Sequence, residues 1–127
     1  PRLTLQGIPR IGTTVNLSVS DPLYSSRKYV LAFSLGTTPG IPLGDGRVIP
    51  LNPDIIFLVS LQAPQWIGLR NNIALLNQQG QAAASWDIPN IPVLASTTIY
   101  AAFIVVDHQQ QLPIASISGA LPIMIQP

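Results

Sequence analysis

The segment from Thr13 to Ser20 alternates between apolar and polar residues. Val15, Leu17 and Val19 fall on one side of an extended chain, while Asn16 and its alternate neighbours fall on the other. A period of two residues is typical of a β-strand that buries one face. We therefore predict a half-buried strand here.

Thirteen prolines and nine glycines divide the chain into short apolar segments that are too brief for helices, so we expect helix to be a minor element at most. Asp45-Gly46 predicts a hairpin turn, because both positions tolerate positive φ, and Gln78-Gln79-Gly80 predicts a second hairpin. We expect Pro89 to Pro92 to carry the chain from one sheet to another. The predicted strands are Thr13–Ser20, Tyr29–Leu35, Val48–Leu51, Ile55–Leu61, Ile73–Asn77, Gln81–Ile88, Thr97–Asp107, Ile114–Ser118 and Leu121–Gln126.

Short strands with turn signals every eight to twelve residues or so are typical of a two-layer antiparallel fold. The chain has 127 residues, which is within the usual size of one domain. We predict an all-β protein: a single domain over residues 1–127, folded as a two-sheet antiparallel β-sandwich of immunoglobulin-like or jelly-roll-like type with eight or nine short strands. A closed barrel is the alternative.

Three predicted strands do not alternate. Tyr29–Phe33, Ile55–Val59 and Ile99–Val106 are apolar on both sides. In a two-layer fold one side of each strand faces outwards, so the second apolar row needs a cover. Cover by loops of the same chain, or central strands that tolerate some exposed Ala and Val, is one explanation, and an interface between subunits is the other. The composition favours an interface, because 47% of the residues are hydrophobic and 9% are charged, against about 25% charged in an ordinary domain.

This pattern predicts a non-catalytic module that associates with copies of itself, as a homo-oligomer or polymer, or with a parent surface assembly. The terminal segments are further candidates, since an added strand satisfies open backbone groups at a sheet edge. The candidate association residues are Leu3, Leu5, Tyr100, Ala102, Ile104, Val106, Leu121, Ile123 and Ile125.

The charges argue against a nucleic-acid partner. Six Lys and Arg residues oppose five acidic residues, for a net charge of +1, and the basic residues are scattered. Phosphate binding needs a clustered basic surface. A long charge-free run, Ile88–Val106, contains two prolines and several polar residues, so we expect no membrane span.

The chain offers few groups for catalysis or for metal binding. His108 is the only histidine, there is no cysteine, and no Gly-x-Ser-x-Gly motif occurs. We therefore expect no enzyme activity, no cofactor and no metal. Asp45 and Asp54 could together hold Ca²⁺, but Asp45 is better explained as the first turn residue of Asp-Gly and Asp54 as a cap at the start of a strand.

Carbohydrate binding is the alternative function. Sugar rings stack on exposed aromatic side chains, and Trp66 lies in a loop-like sequence between Pro64 and Gly68. The candidate stacking residues are Trp66 and Tyr24.

Several motifs spread along the chain resemble secreted bacterial β-sandwich modules of the immunoglobulin-like kind. They are Gly12–Ser18, Leu35–Leu43, Gly80 with Ile88–Ala95, Ile99-Tyr100 and Ile117–Leu121. The resemblance implies an extracellular or cell-surface module without catalytic activity. Members often have Gly at the position of Ser96 and a polar residue near Ala102, so the strand from Thr97 is more apolar here. The resemblance carries over no binding residue.

Overall fold

The computed structural model describes residues 1–108 and 113–127. Antiparallel strands form most of its regular structure, and the described part also holds a short α-helix, which confirms the all-β prediction at this level. The elements are β1 (Arg2–Gln6), β2 (Thr14–Ser20), β3 (Lys28–Ser34), β4 (Ile41–Pro42), β5 (Val48–Ile49), α1 (Ile55–Gln62), β6 (Leu69–Arg70), β7 (Ile73–Leu75), β8 (Gln81–Asp87), β9 (Thr98–Val106), β10 (Ile114–Ile117) and β11 (Leu121–Met124).

The first sheet has the strand order β1-β2-β8-β6, and all of its neighbours are antiparallel. Along β2, Val15, Leu17 and Val19 are buried and Asn16 is exposed, as the alternation predicts. The buried side chains of β2 and β8 point to the same side because directly paired residues of an antiparallel ladder share a face.

The second sheet has the order β10-β9-β3-β7, and β11 also pairs with β9. Strand β9 is long enough for β10 and β11 to pair along the same edge. β10 pairs near Val106, and β11 pairs with Thr98 to Ala101. The long strand predicted from Thr97 to Asp107 is therefore confirmed, within one residue at each end.

One hydrophobic core takes side chains from both sheets. Phe33 of β3 and Trp86 of β8 meet edge to face, with ring centroids 4.9 Å apart and an interplanar angle of 72°. Such a pair contributes about 1 kcal/mol beyond the area it buries. Each sheet therefore has an inner face in the core and an outer face directed away from it.

The predicted hairpin around Gln78-Gln79-Gly80 is wrong. A turn does form, and the Asn77 side-chain oxygen accepts hydrogen bonds from the backbone N–H groups of Gln79 and Gln81. However, β7 pairs with β3 in the second sheet and β8 pairs with β2 in the first. The turn therefore connects a strand of the second sheet to a strand of the first. The turn residues alone do not predict which sheet each flanking strand joins.

The predicted strand Ile55–Leu61 is also wrong, since the segment folds as α1. Asp54 caps the helix and accepts a hydrogen bond from the Phe57 N–H at 2.9 Å. Apart from Ser60 the run is apolar, so it has neither helical nor strand periodicity, and its pattern does not distinguish the two structures. Contacts with β3 decide the outcome.

Two other turn predictions are confirmed. The β4–β5 hairpin pairs Ile41 with Ile49 around the Asp45-Gly46 turn. The segment from Pro89 to Pro92 leads from β8 in the first sheet to β9 in the second. In both cases the deciding features are local: residues that tolerate positive φ, and prolines that interrupt strand pairing.

Candidate interaction surfaces

The strand β9 places four candidate association residues on the outer face of the second sheet. Tyr100, Ala102, Ile104 and Val106 alternate with the buried inner residues of the same strand. Tyr100, Ile104 and Val106 are partly exposed, whereas Ala102 is buried. The apolar outer row predicted from the sequence is therefore present, but it is unevenly covered.

The covered part of this outer face lies under other segments of the same chain. Ala32 and Ala102 form a small second cluster with Leu51, and Phe57 and Leu61 of α1 pack against it. A narrow apolar groove of about 60 Å³ remains between α1, the β5 side and the sheet. At this end of the sheet, loops and a helix supply the cover, as the first of the two explanations proposes.

The β4–β5 hairpin extends this cover towards β10. Leu43 and Arg47, at the tip of the hairpin, line a gap of about 50 Å³ with Pro113 and Ile114. The Asp45 carboxylate holds the tip, because it accepts hydrogen bonds from Arg47 N at 3.0 Å and from Arg47 Nε at 2.9 Å. The bond from the Arg47 backbone N–H is the main reason why the pKa of Asp45 lies below its usual value.

The rest of the outer face stays open. Ile73, Val30, Ile104 and Ile117 stand directly opposite one another across β7, β3, β9 and β10. Strands lie about 4.8 Å apart, so this row is roughly 15 Å wide. We call this surface the open outer face; its residues are Lys28, Val30, Ile73, Leu75, Ile104, Val106 and Ile117, all partly or well exposed. The charged Lys28 lies between Leu75 and Val106.

The most exposed apolar members of the open outer face lie on the short edge strand β7. Leu75 is 66% exposed and Ile73 is 42% exposed. Neither belongs to the residues selected from the sequence, because their assignment to the second sheet required the tertiary structure. Their apolar character on a predicted strand was the signal in the sequence.

The terminal candidates point mainly into the core. Leu3 and Leu5 of β1 are partly buried and pack against the core. β1 is the outermost strand at one edge of the first sheet. Leu121 is partly buried, and Ile123 and Ile125 are buried in the core. Any role of these segments in association would therefore use their backbone edges and not their apolar side chains.

The outer face of the first sheet has a different chemistry. Its side chains are small or polar and alternate with the buried residues of β1, β2 and β8. Its residues include Thr4, Gln6, Asn16, Ser18, Gln81, Ala83 and Ser85. This is the polar outer face expected of an antiparallel sheet that meets water on one side.

At the Asp87 end of this face, a carboxylate joins three strands. Asp87 Oδ1 accepts hydrogen bonds from Thr14 Oγ1 at 2.6 Å and from Arg70 Nη2 at 2.8 Å. The Thr14 hydroxyl is the main reason why the pKa of Asp87 lies below its usual value, and Arg70 acts in the same direction. The cluster links the outer residues of β2, β6 and β8.

The two candidate stacking aromatics lie at opposite ends of the molecule. Trp66 is 77% exposed in the 3₁₀ turn Pro64–Ile67, which leads to Gly68 beside Asp87. Tyr24 follows β2 at the other end and is partly buried. The seven residue pairs of the β2–β8 ladder separate the ends by roughly 20 Å. The structure therefore does not unite the two rings in one platform.

The Trp66 end also carries an apolar pocket. It has a volume of about 90 Å³ and is lined by aliphatic and aromatic side chains, including Ile67, Leu94 and Ile125. Two exposed residues, Ile91 and Val93, belong to the connection from β8 to β9 at this end. This end of the molecule is therefore more apolar than the outer face of the first sheet.

The candidate chemical groups occupy turns and caps. His108 is exposed in the turn after β9, and Asp54 caps α1. The described residues, 1–108 and 113–127, hold no group of three or more His, Cys, Asp or Glu that could bind a metal ion. Among the same residues, no helix has the length and hydropathy needed to cross a bilayer.

Comparisons with known proteins give no match: no family model, no curated protein and no solved structure is similar to this chain at a significant level. The sequence and the geometry alone therefore carry the proposals below.

Proposed function

We propose that this chain is a non-catalytic structural or adhesive module that associates with copies of itself through the open outer face. The observation that carries the proposal is the row of aliphatic side chains across four neighbouring strands, which no segment of the described chain covers fully. Flat apolar sheet faces pack well against one another, at about 10 Å between sheets. A second copy supplies such a face.

The sheet orders support a finer description of the fold, an immunoglobulin-like two-sheet sandwich. The order β1-β2-β8-β6 corresponds to strands A-B-E-D of that fold, and β10-β9-β3 corresponds to G-F-C. β7 lies where an additional strand extends the second sheet. These orders favour the immunoglobulin-like type over the jelly roll, and they agree with the resemblance of the turn motifs.

An extracellular or cell-surface location is part of the same proposal. It rests on the resemblance of those motifs to secreted modules. A structural role is also consistent with the distribution of charge, since the ion pair of Arg47 lies within a turn and that of Arg70 joins two neighbouring strands.

Sedimentation velocity over a range of protein concentrations tests the proposal. We expect concentration-dependent self-association, weakened about tenfold by Leu75→Lys, because a second positive charge, directly opposite Lys28, would be buried in the interface. Ala83→Lys is the matched control, since Ala83 is exposed on the outer face of the first sheet. A wild-type chain that stays monomeric at its highest soluble concentration contradicts the proposal, as does an equal effect of both variants.

Glycan binding is the second candidate, and the exposed Trp66 indole favours it. A single exposed indole ring supports weak stacking against the face of a sugar. A glycan array should then show binding that Trp66→Ala abolishes and that Val93→Ala, also exposed at the same end, leaves unchanged. Binding that is unaffected by Trp66→Ala would exclude this site.

A further inference from the structure

The backbone groups along the two edges of β3 find their hydrogen-bond partners in different ways. On one side, β9 pairs with β3 from Lys28 to Ser34. On the other side, β7 pairs only with Lys28, Tyr29 and Val30. Leu31 N still donates to the Asn72 backbone carbonyl at 2.7 Å, and beyond Leu31 this second side is the edge of a strand without a full partner strand.

Side chains replace the missing strand along that edge. Phe33 N donates to Ser60 Oγ at 3.1 Å, and Asn72 Nδ2 donates to Leu31 O at 3.1 Å. Leu35 N, just past the strand, donates to the Asp54 carboxylate. Leu31, Phe33 and Leu35 are alternate residues along β3 and its continuation. In an antiparallel sheet, the backbone groups of alternate residues face the same neighbouring strand. The helix α1, its cap and Asn72 therefore occupy the place of a strand.

The segment that provides this cover has the composition of a strand. Ile55–Leu61 reads Ile-Ile-Phe-Leu-Val-Ser-Leu and contains no proline, glycine or charge. Seven-residue runs of this kind stack readily as strands. As a helix the segment is only two turns long, and short helices depend on tertiary contacts for their stability.

Two apolar side chains of α1 remain outside the core. Ile55 is 66% exposed, and Leu58 is exposed on the same helix. The preference of the local sequence and the observed structure therefore conflict, a situation that lowers the cost of leaving the native conformation. Pro53 and Pro64 flank the run and limit the part of the chain that can pair as a strand.

We propose that α1 is a releasable cover, and that Ile55–Leu61 of one copy pairs as a strand with the uncovered β3 edge of a second copy. This inference rests on the proposed self-association and names the two segments that pair between copies. The backbone N–H groups of Phe33 and Leu35 then bond to the incoming strand instead of to Ser60 and Asp54, while Leu31 N keeps its bond to the Asn72 backbone carbonyl. Reciprocal exchange closes a dimer, whereas exchange along a line of copies builds a fibre.

The test compares two buried serines in the full chain. Ser60 Oγ accepts from Phe33 N, and Ser118 Oγ accepts from Phe103 N at 2.8 Å. Both serines are buried, so Ser60→Ala and Ser118→Ala each remove an acceptor from a buried backbone N–H. Only Ser60→Ala weakens the cover of the β3 edge. We expect it to accelerate assembly, followed by light scattering, about tenfold relative to Ser118→Ala.

A second pair of variants works in the opposite direction and leaves the buried serines intact. Ile55→Glu places an acid in the first turn of α1, where it favours the helix, and it interrupts the apolar run. Val93→Glu introduces the same charge at a position that is 80% exposed and distant from α1. We expect Ile55→Glu to slow assembly about tenfold relative to Val93→Glu.

Carbon chemical shifts of Ile55, Phe57 and Val59 in the assembled material report whether the segment is helical or extended. Extended shifts with the expected order of rates support the exchange. Helical shifts in an assembly that Leu75→Lys abolishes overturn the exchange and leave self-association through the open outer face intact. Equal rates within each variant pair also overturn it, and a wild-type chain that never assembles overturns both proposals.

Discussion

The outer faces of the two sheets differ although both sheets contribute to the same core. The first sheet presents small polar side chains such as Asn16, Ser18 and Ser85, and the second presents Val30, Ile104 and Ile117. A polar face needs no cover. The second sheet instead recruits α1 and the β4–β5 hairpin over part of its outer face and leaves the rest open. The outer face of the second sheet is therefore covered by other segments of the chain at one end and exposed at the other.

A matched pair of Ala→Glu substitutions should separate the two faces most strongly. Ala102 is 2% exposed beneath the cover of the second sheet, and Ala83 is exposed on the first. Ala102→Glu should lower the free energy of unfolding by about 3–5 kcal/mol, because it buries an unpaired charge. Ala83→Glu should change it by about 0.5 kcal/mol or less. Urea denaturation measures both, and similar losses would contradict the described cover.

Loss of the cover itself should have an intermediate effect. Phe57 packs on the cluster formed by Ala32, Leu51 and Ala102, and it is partly buried. Phe57→Ala should cost about 2 kcal/mol, less than the 3–5 kcal/mol typical of a fully buried phenylalanine. It should also increase the binding of a hydrophobic dye in the folded protein. Thr4→Ala on the first sheet is the control, and equal dye binding by both variants would contradict this role of Phe57.

The smallest effect concerns the polar face and its pH dependence. Hydrogen bonds from Thr14 and Arg70 keep the pKa of Asp87 below its usual value in the folded chain. The ionised group therefore stabilises the fold above the unfolded pKa of about 3.9, and this contribution is lost as the pH falls through the lower folded pKa.

Asp87→Asn should accordingly lose less stability than the wild type between neutral pH and about pH 3. Thr14→Ala should show the same trend in part, because it removes the hydroxyl that contributes most to the shift. Urea denaturation at several pH values measures the difference. An unchanged pH dependence in Asp87→Asn would show that this carboxylate has no role in acid stability.

Ser60 and Asn72 illustrate what sequence patterns miss. Ser60 interrupts an apolar run, and Asn72 follows another asparagine, but neither position alone indicates a bond to β3. Their function depends on the place where β7 stops pairing, which is a property of the assembled sheet. The open outer face was predictable in part: Ile104 and Val106 followed from the non-alternating strand, whereas Ile73 and Leu75 did not.

The sequence by itself determined the all-β class, the alternating strand β2 and the Asp45-Gly46 turn. These features depend on local properties of the chain: the alternation of apolar and polar residues, the tolerance of positive φ, and the backbone geometry of proline. Tertiary structure alone decided that β7 and β8 belong to different sheets and that Ile55–Gln62 is a helix. Runs that are apolar at every position satisfy more than one local structure, so contacts with distant strands select among them.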